Sequence, residues 1–213
     1  MDAKKKLIIL GASDQAKVIT YSISEEYTIC GFIDIYNNPN FQMKDYNGLP
    51  LLGDLHTMDT IIKKETYSSI VAIGDNDYRK TIFNQYQADA KIINVIHPNV
   101  IYQENLVMGS GNYIGPGTII NNDVNIGNNC IINTGTIIEH DCVINDHVSL
   151  APGTILSGHV TVGTGAFIGA GATVIDDIKI GAGAIIGAGA TVLKDVPEKT
   201  LAVGTPAQII KKL

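Results

Sequence analysis

Ile126-Gly127-Asn128-Asn129-Cys130-Ile131-Ile132-Asn133-Thr134-Gly135-Thr136-Ile137-Ile138-Glu139-His140-Asp141-Cys142-Val143-Ile144 returns an aliphatic residue every six positions. The register extends in both directions without a break. It begins at Met108, passes Ile114 and Ile120, and continues through Leu150, Leu156, Val162, Ile168, Val174, Ile180 and Ile186 to Val192. Two positions earlier in the hexad the residue is mostly small or β-branched, as at Thr118, Val124, Cys130, Thr136, Cys142, Val148, Thr154, Val160, Ala166 and Ala172. Gly often follows the aliphatic residue directly, as at Gly115, Gly127, Gly163 and Gly169. A helical period of 3.6 does not produce this register, and neither does simple alternation. A six-residue unit is one short strand plus one turn and cannot bury a hydrophobic face alone, so such units stack. The aliphatic residue points into a shared interior, and Gly is expected to give the backbone freedom at the corner. Three hexads make one triangular coil, so the run makes about five coils.

Ahead of the repeat the texture differs. Residues 6–11 read as a buried parallel strand, followed by a turn at Ala12-Ser13-Asp14-Gln15 and a helix to about residue 26, capped by Ser13 or Asp14. Residues 28–34 form a second strand ending in Asp34, and residues 35–50 are polar and turn-rich. A helix over 55–64, a strand over 69–73 ending in Gly74-Asp75-Asn76, a helix over 77–86 and a strand over 92–96 complete the segment. Strands alternating with helices define a small parallel α/β domain. The expected division is residues 1–97 for this Rossmann-like domain and residues 98–213 for the repeat with its tail.

Composition narrows the function. The chain has 213 residues and a formal net charge of −6, which gives no electrostatic basis for nucleic acid as a partner. Leu7 to Leu10 is too short for a signal sequence, no stretch spans a membrane, and the expected location is cytoplasmic. Cys130 and Cys142 fall in interior slots of the repeat, with no disulfide or zinc spacing.

Two clusters carry chemistry. In an open parallel sheet, ligands bind beyond the carboxyl ends of the strands. There the chain places Ser13, Asp14 and Gln15, then Asp34, then Gly74, Asp75 and Asn76, with Arg79 and Lys80 a turn later to offset diphosphate charge. The glycine fingerprint of dinucleotide binding is absent. The second cluster is Glu139-His140-Asp141, at a coil corner by its distance from Ile138. An imidazole beside a carboxylate acts as a general base near neutral pH. His147 and His159 are further outward candidates.

The whole chain resembles the sugar-nucleotide N-acetyltransferases of the bacillosamine and perosamine pathways, a hexapeptide-repeat group that includes sialic acid O-acetyltransferase-like proteins. The resemblance rests on Leu10-Gly11-Ala12-Ser13, Gly31-Phe32-Ile33-Asp34, Ala72-Ile73-Gly74-Asp75-Asn76-Asp77-Tyr78-Arg79-Lys80, Ile132-Asn133-Thr134, Ile138 to Ile144, and Val203-Gly204-Thr205-Pro206-Ala207. It implies a left-handed parallel β-helix behind the α/β domain, and a homotrimer with active sites between subunits. It implies that Ser13, Asp14, Gln15, Asp34, Ile35, Gly74 and Asn76 contact the nucleotide of an amino sugar, with Asn133 near the sugar. It makes His140 the general base, Asp141 its partner, and Ser149, Gly158, Ala170 and Ala188 the acetyl-CoA contacts. Acetyl-CoA is then the co-substrate and no metal is expected.

Two positions depart from the family pattern. Asp14-Gln15 stands where the family commonly has Gly-His, and Ser149 where it often has His, with His147 two residues earlier. The expected reaction is direct attack of the sugar C4 amine on the thioester, with the Gly158 N–H stabilising the oxyanion. Three other functions share the repeat: an O-acetyltransferase of sialic acid or another sugar, a γ-type carbonic anhydrase, and a non-catalytic sugar-nucleotide binder. The carbonic anhydrase needs three converging His. By hexad counting, His140, His147 and His159 fall on different faces or coils.

Overall fold

The computed structural model describes residues 4–35, 45–64, 67–103 and 106–213. Of the stretch read as polar and turn-rich, residues 36–44 lie outside the described residues. The chain divides into two compact units between Val95 and Ile96. No helix among the described residues is long and apolar enough to cross a membrane.

The first unit contains β1 (Lys5–Leu10), α1 (Asp14–Thr20), β2 (Tyr27–Asp34), β3 (Asp45–Tyr46), β4 (Leu49–Asp54), α2 (Leu55–Lys64), β5 (Ser68–Val71), α3 (Asn76–Tyr86) and β6 (Lys91–Ile92). The sheet order is β3-β4-β2-β1-β5-β6, parallel throughout except for the β3–β4 hairpin. Leu7, Ile8, Ile9 and Leu10 of the central strand are fully buried. A strand covered on both faces needs a continuous apolar run of this kind. Ile8, Leu10, Ile33, Met58, Val71, Ile82 and Phe83 belong to one core cluster.

Three sequence readings need correction. The helix expected to reach residue 26 stops at Thr20, because Ser22 and Ser24 bond to nearby backbone in place of the helix ladder. The turn-rich reading of 35–50 passed over β4, which pairs with β2 through Phe32↔Leu51 and Asp34↔Asp54. Its hairpin turn, Asn47-Gly48, has φ of 53° and 76°, the signature of a type I′ turn. The strand expected over 92–96 is two strands: Lys91–Ile92 pairs with β5, and Val95–Ile96 opens a sheet of the second unit.

The second unit is a left-handed parallel β-helix of three flat faces. Each strand pairs with the strand eighteen residues on: Ile132 with Leu150 on the first face, Ile138 with Leu156 on the second, Ile126 with Ile144 on the third. Every aliphatic position from Ile114 to Val192 is buried, and the small slots between them close the same core. Thr118, Thr136 and Thr154 sit in that core because their hydroxyls donate to corner carbonyls. Thr200–Val203 continues the first face, and Gln208–Lys212 returns antiparallel along it.

Corner glycines work differently from the sequence expectation. The left-handed residue of each corner lies three positions after the aliphatic one. It is Gly at 135, 153 and 171, but Asp141, His147, His159 and Asp177 hold φ of 59–62° there. Asp, Asn and His are the side chains that tolerate this region best. The Gly directly after the aliphatic residue is required by contact. A Cβ on Gly163 or Gly169 would stand 2.5 Å from the backbone nitrogen of the next coil.

Ile138 is completely buried at the centre of this stack. Burying an unpaired carboxylate costs several kcal/mol, comparable to the whole stability of about 5–15 kcal/mol. Ile138→Asp is therefore expected to yield no folded protein by circular dichroism. Ile138→Val should fold with a loss of about 0.5–1.5 kcal/mol in denaturant titration.

Candidate active site

Coil stacking determines what each corner residue meets. In the corner between the second and third faces, His140 stands over Gly158 and Asp141 over His159, each pair eighteen residues apart. The backbone bonds confirm the register: the Asp141 N–H donates to Asn122 O at 3.1 Å and the Asp177 N–H to Gly158 O at 3.0 Å. With no side chain at 158, the imidazole occupies that space. A Cβ there would lie 2.7 Å from His140 Cε1 and 3.1 Å from Nε2.

His140 Nδ1 is 2.8 Å from Asp141 Oδ2, and both side chains are about half-exposed. An ionised carboxylate only accepts, so Nδ1 carries the proton and neutral His140 presents the Nε2 lone pair outward. The hydrogen bond to Asp141 raises the imidazole pKa above its ordinary value. Desolvation opposes this, and the charges of Asp141, Glu139 and Asp176 add to the rise. Glu139 is itself fixed, accepting from Asn121 Nδ2 at 2.7 Å.

The Gly158 N–H, expected to face an oxyanion, donates to Asp176 Oδ1 at 3.2 Å, so that role is corrected. His147 is also corrected: it is buried at the next corner, with Nδ1 2.9 Å from Asn129 Nδ2. His159 is not remote from His140, as hexad counting suggested; the two rings meet edge-on with centroids 5.3 Å apart. Adding eighteen to 141 would have found it. Three His therefore do not converge. Both repeat thiols point inward, and burial pushes Cys142 up to about 11, which removes it as a nucleophile.

Asn133, Ala170 and Ala188 belong to the preceding corner, between the first and second faces. Asn133 Oδ1 accepts from the Thr134 N–H at 2.8 Å. Ala170 and Ala188 are exposed, one coil apart, and Ser149 is a buried residue of the first face.

In the α/β unit the chain moves from β1 to β2 on one side and returns to β5 on the other, so the switch point lies between β1 and β5. Ser13 joins the two strand ends by donating to Ala72 O at 2.8 Å, which is why it does not cap α1 although it stands at the N-cap. Asp14 does not cap either; it is exposed and accepts from Lys17 at 2.9 Å. Gln15 Nε2 is buried with no partner among the described residues. Asp34 is buried at the end of β2, Gly74 is exposed and Asn76 half-buried. Arg79 is not free for phosphate. It is buried and donates to Ile73 O, Gly74 O and Asn76 Oδ1, holding the loop after β5. Two hydroxyls escaped the sequence reading: Tyr46 donates to Ser13 O at 2.8 Å and Tyr78 to Ile35 O.

An α/β unit with a switch point between β1 and β5, in one chain with a β-helix bearing a corner His–Asp pair, is the build of a hexapeptide-repeat acyltransferase with an added N-terminal domain. Residues 6–86 match the PglD N-terminal domain, and residues 123–158 and 159–194 match the bacterial transferase hexapeptide of six repeats. A histidine-to-asparagine variant of perosamine N-acetyltransferase from Caulobacter crescentus, in complex with CoA and GDP-perosamine, is 32% identical with a TM-score of 0.92, covering 99% of each chain. PerB from Caulobacter crescentus with the same two ligands is 33% identical, covering 98% of this chain and 99% of that one, with a TM-score of 0.90. The acetyltransferase domain of PglB from Neisseria gonorrhoeae in complex with acetyl coenzyme A is 25% identical, covering 98% and 100%, with a TM-score of 0.88. Comparison with curated proteins by sequence gives no significant match. The chain belongs to the family of acetyl-CoA-dependent sugar-nucleotide N-acetyltransferases.

The Gly158 contact yields a test. In Gly158→Ala the new methyl displaces the His140 ring, the movable end of a side chain, and leaves the coil backbone in place. A misplacement of about 1 Å in a reacting group costs up to ~10²-fold. Gly158→Ala is expected to keep its thermal stability while kcat falls ~10-fold or more.

Proposed function

We propose that the protein transfers the acetyl group of acetyl-CoA to the amino group, at C4, of a nucleotide-linked amino-deoxy sugar, with His140 as general base. The observation that carries this reading is the His140–Asp141 pair, oriented with Nε2 free and set over a glycine. The amine attacks the thioester carbonyl, forming a C–N bond. His140 Nε2 takes the amine proton, and Asp141 stabilises the imidazolium. Collapse of the tetrahedral intermediate breaks the C–S bond, and the proton on His140 passes to the leaving thiolate. No protein nucleophile is needed, since the thioester is already activated and both substrates are held together.

Recognition is divided between the two units. Ser13, Asp14, Gln15, Asp34, Ile35, Gly74 and Asn76 serve the nucleotide, and the partnerless Gln15 donor supports a ligand there. The acid at Asp14 favours a ribose or base contact over diphosphate. Asn133 serves the sugar, and Ser149, Gly158, Ala170 and Ala188 serve acetyl-CoA. The relatives' complexes with CoA and GDP-perosamine support both substrate classes.

Ala170 and Ala188 stand at a different corner from His140, across the second face. Two copies of the chain bring such corners together more readily than one ligand crosses a whole face. That face carries an outward ladder of Ile101, Ile119, Ile137 and Ile155, with Ile101 63% exposed. An aligned apolar ladder suits a symmetric contact with another copy. The working form in this reading is a cytoplasmic homotrimer with its active sites between subunits.

Turnover of UDP-, dTDP- and GDP-linked 4-amino sugars with acetyl-CoA tests the reading. An amide product is expected; an ester from a hydroxyl-only sugar would favour O-acetylation. His140→Ala should lower kcat by ~10²-fold or more, the usual worth of a general base, with the trimer intact. Undiminished turnover would remove His140 from the mechanism. Asp34→Asn should raise KM for the sugar nucleotide ~10-fold through loss of one charged hydrogen bond, leaving KM for acetyl-CoA unchanged. The reverse pattern would exchange the roles of the two units.

A further inference from the structure

His159 has no part in the reaction above, yet it shares a carboxylate with the base. Asp123, Asp141, His159 and Asp177 form one vertical column at eighteen-residue spacing, with φ of 58°, 60°, 59° and 62°. Identical backbone conformation on successive coils sends these side chains out in parallel, about 4.8 Å apart. Asp141 Oδ2 lies 2.8 Å from His140 Nδ1 and 3.9 Å from His159 Nε2. One donor atom from each of His140, Asp141 and His159 falls within 4.8 Å of the others. Glu139 and Asp176 add negative charge beside them. We infer that His140, Asp141 and His159 form a site for a divalent transition metal such as Zn²⁺, and that its occupancy stops acetyl transfer. The inhibitory half of this inference rests on the proposed role of His140; the metal site does not.

Two imidazoles and one carboxylate are borderline ligands that suit Zn²⁺ and Co²⁺, whereas Mg²⁺ and Ca²⁺ take oxygen. Tetrahedral zinc bonds of about 2.0–2.2 Å place neighbouring ligand atoms roughly 3.3–3.6 Å apart. The His140–Asp141 pair, at 2.8 Å, need only open slightly, and His159, at 3.9 Å from Asp141 and within 4.8 Å of His140, must close by about 1 Å. All three side chains are about half-exposed, at 53%, 45% and 54%, so side-chain rotation supplies the movement. Three protein ligands leave a position for water. A metal on Nδ1 of neutral His140 forces the ring proton onto Nε2, and a metal on Nε2 occupies that lone pair directly. Either way the base no longer accepts a proton from the amine.

The test uses full-length protein freed of metal by chelator. Co²⁺ titration of the wild type should give a visible d–d band saturating at one ion per chain, displaced by Zn²⁺ and not by Mg²⁺. His159→Asn keeps the left-handed corner, since Asn129 already holds φ of 56° in this helix. It should weaken Co²⁺ binding ~10-fold or more, in line with losses from even outer partners of a metal ligand. It should weaken Zn²⁺ inhibition by the same factor while leaving metal-free turnover near wild type. His56→Asn, on the exposed face of α2, should change neither. Equal Co²⁺ affinity in wild type and His159→Asn overturns the site, as does a thiolate-to-cobalt charge-transfer band from Cys30. Unchanged turnover at saturating Zn²⁺ overturns the inhibition. The Co²⁺ arm needs no acetyl transfer, so a protein that binds the ion but acetylates nothing would refute the proposed activity alone.

Discussion

Backbone hydrogen bonds between residues eighteen apart are the constraint on which the β-helix depends. They leave each side chain with only two vertical neighbours, one above and one below. The interior then admits one aliphatic residue per strand and one small residue per corner. The exterior becomes a set of columns whose members must be mutually compatible. Gly158 is explained by its column, which gives His140 a floor, and Gly163 and Gly169 by the backbone of the following coil. A repeat protein is nearly one-dimensional in its energetics, so such local fits add along the axis with little long-range coupling.

The chemistry grows from the same rule. At the corner of Asp123, Asp141, His159 and Asp177 the left-handed residues are exposed, and Asp141 in that state reaches back to the imidazole beside it. The acids around His140 make it a better proton acceptor and also hold its proton longer. A base must first be unprotonated, so this arrangement favours catalysis on the alkaline side of an ordinary histidine. Polar groups used for reaction stay on the surface columns, and the core thiols stay inert behind the coil wall.

The repeat was legible because its period is rigid and its interior unambiguous: every aliphatic position from Ile114 to Val192 is buried as its place in the hexad required. The His140–Asp141 pair was legible for the same reason, since distance from Ile138 fixed it at a corner. The reading failed where a contact crossed between coils or strands. His159 was named as an outward candidate, but its contact with His140 was missed because hexad counting followed the chain and not the eighteen-residue stack. Arg79 was read as a phosphate ligand because sequence shows its charge but not that Ile73 and Gly74 turn their carbonyls toward it. The strand β4 was hidden by Pro50 and Gly53, ordinarily strand breakers, which a strand end and a register shift opposite Phe32 and Ile33 accommodate. The Ser13 hydroxyl looked like a cap until β5 offered it the Ala72 carbonyl.

The return of Gln208–Lys212 along Thr200–Val203 bears on how the molecule behaves in a crowded solution. A column of parallel coils is a growing template, since its last strand presents the same unpaired edge that each earlier strand offered to its successor. Reversing direction breaks that pattern: an antiparallel strand cannot be extended by another parallel coil in register. Its residues are exposed and end in Lys211 and Lys212, and a charged edge is poor ground for a further strand. The five residues that contribute least to the core thus close the edge that the first face would otherwise present.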